Sequence, residues 1–308
     1  TESGLVEGSV SGGCVESDVA ARAQDVLASG KSAIERYGIN RDMMWDVGLS
    51  CGGTIDVYIE SLAAGRQPVF EDGVVLCTIV RGPDRVGERF LVRNSGGTLR
   101  LEGDAGPLAA DLRDAATEAL RSAAPSLESI GRYSVFVDPQ VPAPQLVIIG
   151  AVHIAMHLCE MAARCGFEPM VIDPRPALNS QERFPSARRR IVGWPEDELP
   201  KLTIDANTYV AVLTHAEKFD DPSLAYVLPR DARYVGAIGS RKTQAKRRER
   251  LRAAGMAPEF VERLHGPIGL DLGAQTPQEI AVSILAEMVA AKYGRSGTPM
   301  SAQAHAAT

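Results

Sequence analysis

The pattern of apolar and polar positions divides the chain into two differently built stretches. Leu146-Val147-Ile148-Ile149 is an unbroken apolar run, the pattern of a strand buried on both faces of a parallel sheet. Gly150 ends it, and Ala151-Val152-His153 turns the chain. From Ile154 to Arg164 the spacing is helical, with Ile154, Leu158, Met161 and Ala162 on one side and Gly166 as the stop. Met170-Val171-Ile172 is a second apolar strand, and it ends in Asp173. Strand, glycine turn, helix, strand, carboxylate is the opening unit of a dinucleotide-binding fold. Further apolar runs at Arg190-Ile191-Val192, Tyr209 to Thr214 and Tyr234 to Ile238 continue it. Helices are predicted from Ser240 to Ala254 and from Thr276 to Lys292, the latter opening with cap, proline and glutamate in sequence. The expected fold is α/β, a Rossmann-like parallel sheet flanked by helices.

The N-terminal stretch alternates differently and predicts a smaller α+β domain. Leu5 to Val10 reads as a strand pair already under way. A glycine-rich turn, Ser9 to Glu16, leads into a helix that ends at Gly30, with Val15, Val19, Ala23, Val26 and Leu27 as its apolar face. Two strands flank Cys51-Gly52-Gly53 between Val47 and Ile59. Strands follow at Val74 to Ile79 and Arg89 to Arg93, then a helix at Leu108 to Ser122 and a strand at Tyr133 to Val137. Gly82-Pro83-Asp84 and Gly96-Gly97 are turns. The expected domains are 1–138, a proline-rich linker at 139–144, the Rossmann-like domain at 145–294 and a mobile tail at 295–308. Thr1 is not an initiator methionine, so the first domain is expected to continue upstream.

Composition narrows the functional classes. The 308 residues are 45% hydrophobic and 23% charged, ordinary globular values. The net charge of −6 argues against a general nucleic-acid binder, whose phosphate contacts need a basic surface. No apolar run approaches the roughly 18 residues of a membrane span. Five scattered cysteines, Cys14, Cys51, Cys77, Cys159 and Cys165, fit a reduced, cytoplasmic protein rather than a disulfide framework.

Candidate chemistry collects at glycine turns and strand ends. The start of the helix after Gly150, at Val152 and His153, offers unpaired amides to a phosphate. Val152 stands where the usual pattern has a second glycine, which obstructs a pyrophosphate and disfavours positive φ. Asp173, about 20 residues on, is placed to hold ribose hydroxyls. Arg175 meets a ribose phosphate or is a surface arginine. His215 and Lys218 follow a strand end, where ligands of open α/β sheets bind. Gly239, Ser240 and Arg241 start a strongly basic helix whose Arg and Lys residues read as a solvated face, with Ser240 as its cap, while the amides of its start and Arg241 form a second place for a phosphate. In the first domain, Ser11, Gly12 and Gly13 precede Cys14 in the first turn of a helix, where the macrodipole favours thiolate. The alternative is a tight turn with a small core cysteine. Cys51 with Gly52 and Gly53 reads as a backbone concavity beside a thiol, or as a hairpin bulge.

Together these motifs resemble the XdhC/CoxI family, accessory proteins of molybdenum hydroxylases such as xanthine dehydrogenase and carbon monoxide dehydrogenase. Ser-Val-Ser-Gly-Gly-Cys-Val-Glu (9–16) and Cys-Gly-Gly (51–53) are similar to its N-terminal signatures. Its C-terminal signatures are matched at 213–220, 234–241, 265–271 and 276–281, with Ala216 where the family often has an acid. The resemblance implies binding of the molybdenum cofactor (molybdopterin), its protection during sulfuration and its delivery to an apo molybdenum hydroxylase. A sulfur-transfer enzyme is the implied second partner, nucleic acid and membrane are not partners, and a homo-oligomer is expected. No catalytic residue is assigned. Cys14 and Cys51 are the candidate contacts to molybdenum or its exchangeable sulfur. The rival reading is an NAD(P)-dependent oxidoreductase with His215 or Lys218 as proton donor. A third is an assembly scaffold whose ligand site has decayed.

Overall fold

The structure is a computed structural model describing residues 5–6, 8–13, 15–38, 54–62, 73–95 and 98–302. The chain forms two compact units, Thr1–Pro142 and Ala143–Thr308.

In the first unit, α1 (Glu16–Ser29) ends at Gly30, whose φ of 68° closes the helix left-handed. Strands β1 (Ala33–Tyr37) and β2 (Ile55–Ile59) pair antiparallel, and Tyr37 of β1 packs with Val15, Val19 and Ile55. A second sheet contains β3 (Val74–Arg81), β4 (Arg89–Ser95), β5 (Thr98–Glu102), β6 (Ser126–Ile130) and β7 (Tyr133–Gln140), in the order β5-β4-β3-β7-β6. Helix α2 (Ala109–Ser122) covers one face through Leu112, Ala116 and Ala119. Val75, Cys77 and Ile79 point into that core, as the two-residue strand period requires. The alternate residues Leu76, Thr78 and Val80 line a cavity of about 860 Å³ on the other face, together with Ile55, Val57 and Phe136.

Several expectations for this unit need correction. Residues 5–6 and 8–10 are not strand but irregular chain leading into α1. Strands β1, β5 and β6 carry too few apolar residues to stand out in sequence, and they are held by pairing. Strand β7 runs through Pro139 to Gln140, so the extended pairing continues into the proline-rich stretch. Cys14, Cys51, Gly52, Gly53 and the Gly96-Gly97 turn lie outside the described residues.

The second unit is built on six parallel strands: β8 (Gln145–Ile149), β9 (Glu168–Ile172), β10 (Arg189–Ile191), β11 (Thr208–Val212), β12 (Tyr234–Ala237) and β13 (Leu264–His265). Their order, β10-β9-β8-β11-β12-β13, is the doubly wound order of dinucleotide folds, with its switch point between β8 and β11. Helices α3 (His153–Arg164) and α8 (Pro277–Lys292) pack on one face against Leu146 and Ile148. The other face, carrying Val147 and Ile149, is covered by α5 (Glu217–Val227), α6 (Arg241–Ala253) and α7 (Pro258–Glu262), with the short α4 (Pro195–Glu198) against α5. Burial on both faces explains why β8 and β11 read as continuous apolar runs. The C-terminal stretch forms a 3₁₀ turn at Met300–Ala302.

Candidate functional site

Three loops meet the carboxyl ends of the central strands of the second unit. The first is the turn after β8. Gly150 has a φ of 104°, and a Cβ there would stand 2.5 Å from Cγ2 of Thr214 in the neighbouring loop, so only glycine fits. Val152 has a φ of −84° and a ψ of 174°, ordinary extended backbone. The strain expected of a valine here is therefore absent, because the left-handed residue is Gly150 alone. Val152 provides no side-chain cap for α3, and the exposed His153 opens the helix. Ala155, fully buried, brings α3 close against the sheet.

The Ala151 peptide is held from both sides. Its N–H donates to Oδ2 of Asp173 at 2.8 Å, and its carbonyl accepts from Nη2 of Arg183 at 3.3 Å. Asp173, at the end of β9, is 1% exposed. It also accepts from Arg175 three times: N–H and Nε to Oδ1 at 2.9 and 2.8 Å, and Nη2 to Oδ2 at 2.6 Å. Burial works to raise the Asp173 carboxyl, but the Arg175 guanidinium and the two amides outweigh it and hold the group below the usual carboxylate range.

The second loop follows β11. Thr214 donates to Asp220 and accepts from the Ala216 N–H at 3.1 Å, which folds the chain back on itself. His215, between them, is exposed and has a φ of 58°. Lys218 is also exposed, with its ammonium 5.3 Å from the ring of Trp194 and 5.1 Å from that of Phe219. Asp220 is buried and paired at 2.6 Å with Nη2 of Arg247, which is 2% exposed. Arg247 Nη1 donates to the Ile238 carbonyl at 3.0 Å and to Gln244 at 2.8 Å, and Gln244 donates to the Ala237 carbonyl. This chain of bonds ties the loop after β11 to the loop after β12. It also takes Arg247 out of the basic solvated face expected of α6: Gln244, Arg247 and Leu251, at helical spacing, form its buried stripe. That spacing was the available signal for Arg247.

The third loop, after β12, carries Gly239, Ser240 and Arg241. Gly239 has a φ of 136°, and Ser240 caps α6 by accepting from the Thr243 N–H at 3.2 Å. Arg241 is exposed at the helix start. Of the two helix starts proposed for a phosphate, α6 thus has a side-chain cap and α3 has none.

Sequence reasoning passed over a further cluster on the α8 face. Glu287 accepts from Tyr234 at 2.5 Å, from the Gly269 N–H at 2.7 Å and from His265 Nδ1 at 3.0 Å. Burial would raise this carboxyl, but the bonds from His265, Tyr234 and Gly269 prevail and lower it.

In the first unit, Ser11 and Gly13 belong to a ring of donors around the carboxylate of Glu16, while the Gly12 N–H donates to the Ser9 hydroxyl oxygen at 2.8 Å. Among the described residues, Oε1 accepts from the Ser9 hydroxyl and the Val10 and Ser11 amides at 2.5, 3.1 and 2.8 Å. Oε2 accepts from the Ser11 hydroxyl and the Gly13 and Val15 amides at 2.9, 2.8 and 3.1 Å. The Ser9 hydroxyl and the Ser11 amide lead in holding Glu16 well below the usual carboxylate range. The buried thiols Cys77 and Cys159 are pushed up by burial, to about 12 and about 11, so neither supplies a thiolate near neutral pH. Among the described residues, no group of three or more His, Cys, Asp or Glu side chains is arranged to hold a metal ion. No described helix is long and apolar enough to cross a membrane.

A doubly wound sheet with a glycine turn and a helix start at its switch point defines a Rossmann-type domain; it follows a mixed α+β unit. The chain belongs to the XdhC/CoxI family: the profile for the XdhC Rossmann domain matches residues 146–288, and that for the XdhC and CoxI family matches residues 1–38. A protein of Bacillus subtilis (strain 168) described as a probable xanthine dehydrogenase subunit is 28% identical over 291 residues, 92% of this chain and 83% of that protein. The molybdenum cofactor insertion chaperone PaoD of Escherichia coli (strain K12) is 26% identical over 293 residues, 94% of this chain and 76% of PaoD. The crystal structure of a xanthine dehydrogenase from Bacillus halodurans superposes with a TM-score of 0.76 at 26% identity, covering 98% of this chain and 86% of that one. At the level of the family, this associates the chain with molybdenum-cofactor handling in hydroxylase maturation.

Proposed function

We propose that the chain is a cytoplasmic accessory protein that binds molybdenum cofactor and delivers it to an apo molybdenum hydroxylase, without catalysing a reaction of its own. The observation that carries this reading is the start of α3: an uncapped helix at the switch point, beside a carboxylate already filled by Arg175. Uncapped amides in the field of a helix N-terminus suit the terminal phosphate of a molybdopterin. The filled Asp173 speaks against the nicotinamide-dependent alternative, which needs an open acceptor for ribose hydroxyls. The description of PaoD as a cofactor-insertion chaperone supports the same choice.

In this reading the amides at His153 and beyond hold the phosphate, and the exposed His215, Lys218 and Arg241 flank the remaining ligand. Cys14 and Cys51 are proposed as the soft contacts to molybdenum or its sulfur. The bound cofactor carries the redox-active metal centre that the client enzyme uses after transfer. The sulfur-transfer enzyme is proposed as the donor partner, and the carrier as a homo-oligomer.

The test is to purify the full chain from a host with intact cofactor synthesis and to quantify pterin and molybdenum per chain. The loaded protein is then mixed with apo-hydroxylase. Pterin near one per chain and activation of the client are expected, with Cys51→Ala lowering retention or activation. Absence of both pterin and activation would refute the carrier reading.

A further inference from the structure

We propose that Arg175 is a specificity-determining residue of the Rossmann unit: it fills the positions on Asp173 that an adenosine ribose diol would use. The unit therefore takes a phosphate monoester at the start of α3 without reading a ribose behind it. The inference rests on the phosphate site proposed above and adds what that site rejects.

An ionised carboxylate offers about four lone-pair positions. At Asp173 all four are taken: the Arg175 N–H and Nε reach Oδ1, while Arg175 Nη2 and the Ala151 N–H reach Oδ2. Three of the four donors come from one residue, two positions along the chain. The guanidinium presents its fork edge-on, and the backbone N–H of the same residue fixes where that fork starts. The guanidinium pairs a full positive charge with the carboxylate in a bidentate fork, whereas ribose hydroxyls bring no charge of their own. Two ribose hydroxyls would have to displace the stronger donor to gain the weaker ones. The fourth position is held by the glycine turn, whose Ala151 carbonyl also accepts from Arg183 at 3.3 Å. Asp173 is buried, while the Arg175 side chain is 48% exposed, so the arginine stands between the carboxylate and solvent. A carboxylate that reads ribose in a dinucleotide fold is thus converted here into an internal anchor.

The experiment uses the full chain and two probes, 5′-AMP and 2′,3′-dideoxy-AMP, titrated calorimetrically at one fixed salt concentration. Both carry a phosphate monoester and neither requires a pyrophosphate to pass Val152. The unaltered protein is expected to bind the two within about twofold of each other. Arg175→Ala exposes Asp173 and is expected to prefer AMP by at least about 10-fold. Arg175→Lys keeps a cation beside Asp173 but loses the planar fork. It is expected to give a smaller preference, about 3-fold, and serves if the alanine variant folds poorly. Adding Asp173→Asn to either variant should reduce the preference. A 10-fold preference for AMP in the unaltered protein would overturn the proposal, since Asp173 would then already be open to ribose. So would the absence of any AMP preference, or of AMP binding, in a variant whose circular dichroism and thermal transition are intact. The carrier reading is judged separately, by pterin content.

Discussion

Removing the Arg247 side chain while leaving Asp220 in place should be among the most damaging single changes in the second unit. In Arg247→Met the apolar stem is kept and the guanidinium is lost. Asp220, on the buried side of α5, then retains only the Thr214 hydroxyl, and the Ile238 carbonyl and Gln244 each lose a donor. Breaking one side of a buried pair costs about 3–5 kcal/mol. That is a large share of the roughly 5–15 kcal/mol that holds a domain together. At about 2–4 °C per kcal/mol for a unit of this size, the midpoint should fall by about 6–20 °C. The loss should shrink as the pH is lowered, because burial raises the carboxyl of Asp220 and protonation relieves an unpaired charge. The double variant Arg247→Met with Asp220→Leu should recover at least half of the loss, since both buried charges are gone. Urea unfolding followed by Trp194 fluorescence in a Trp45→Phe background reports on the second unit alone. A single-variant loss below about 1 kcal/mol, or a double variant as unstable as the sum of the singles, would refute the reasoning.

Two further outcomes follow from the same loops. The folded-state value of Glu287 lies below its unfolded one, so its stabilising contribution is present above the unfolded value near 4.3 and is lost as pH falls through the folded value. Glu287→Gln should therefore cost about 1–3 kcal/mol at pH 7 and show a flatter fall in Tm between pH 6 and pH 3 than the unaltered protein; parallel acid profiles would contradict this. Gly150→Ala combines a φ of 104° with a Cβ only 2.5 Å from the Thr214 methyl, and should cost about 2 kcal/mol or more. Adding Thr214→Ser, which removes the methyl and keeps the hydroxyl bonded to Asp220, should restore part of it in the same urea assay.

The fold of the second unit was legible because its strands are buried on both faces and its helices are marked at their ends. Leu146 to Ile149 could hardly be anything but a central strand, and the Thr276 cap with Glu279 forms the expected reciprocal pair of bonds. The first unit was read less completely. Strands such as Thr98–Glu102 and Ser126–Ile130 are edge strands with one exposed face, so little in their composition separates them from loop. The candidate site divides the same way. Glycine turns and strand ends mark Gly150, His215 and Gly239 as loop residues at the carboxyl ends of the strands, because backbone geometry leaves a local signature. The contacts that organise those loops join residues far apart in sequence, as Asp220 and Arg247 do, and periodicity alone does not name partners. Arg175 stands out in the sequence by its position after Asp173, but its inward bonds to that carboxylate depend on a side-chain direction that spacing does not encode.

The Glu16 ring differs from all of these in being local. Its described donors and its acceptor fall within eight consecutive residues, 9 to 16. It behaves as a cassette: one inserted residue between Ser9 and Glu16 dismantles it, whereas the same insertion in a loop of the other unit leaves it untouched. Closing so short a contour costs little loop entropy, so the turn ahead of α1 needs no long-range pairing to bring its groups together.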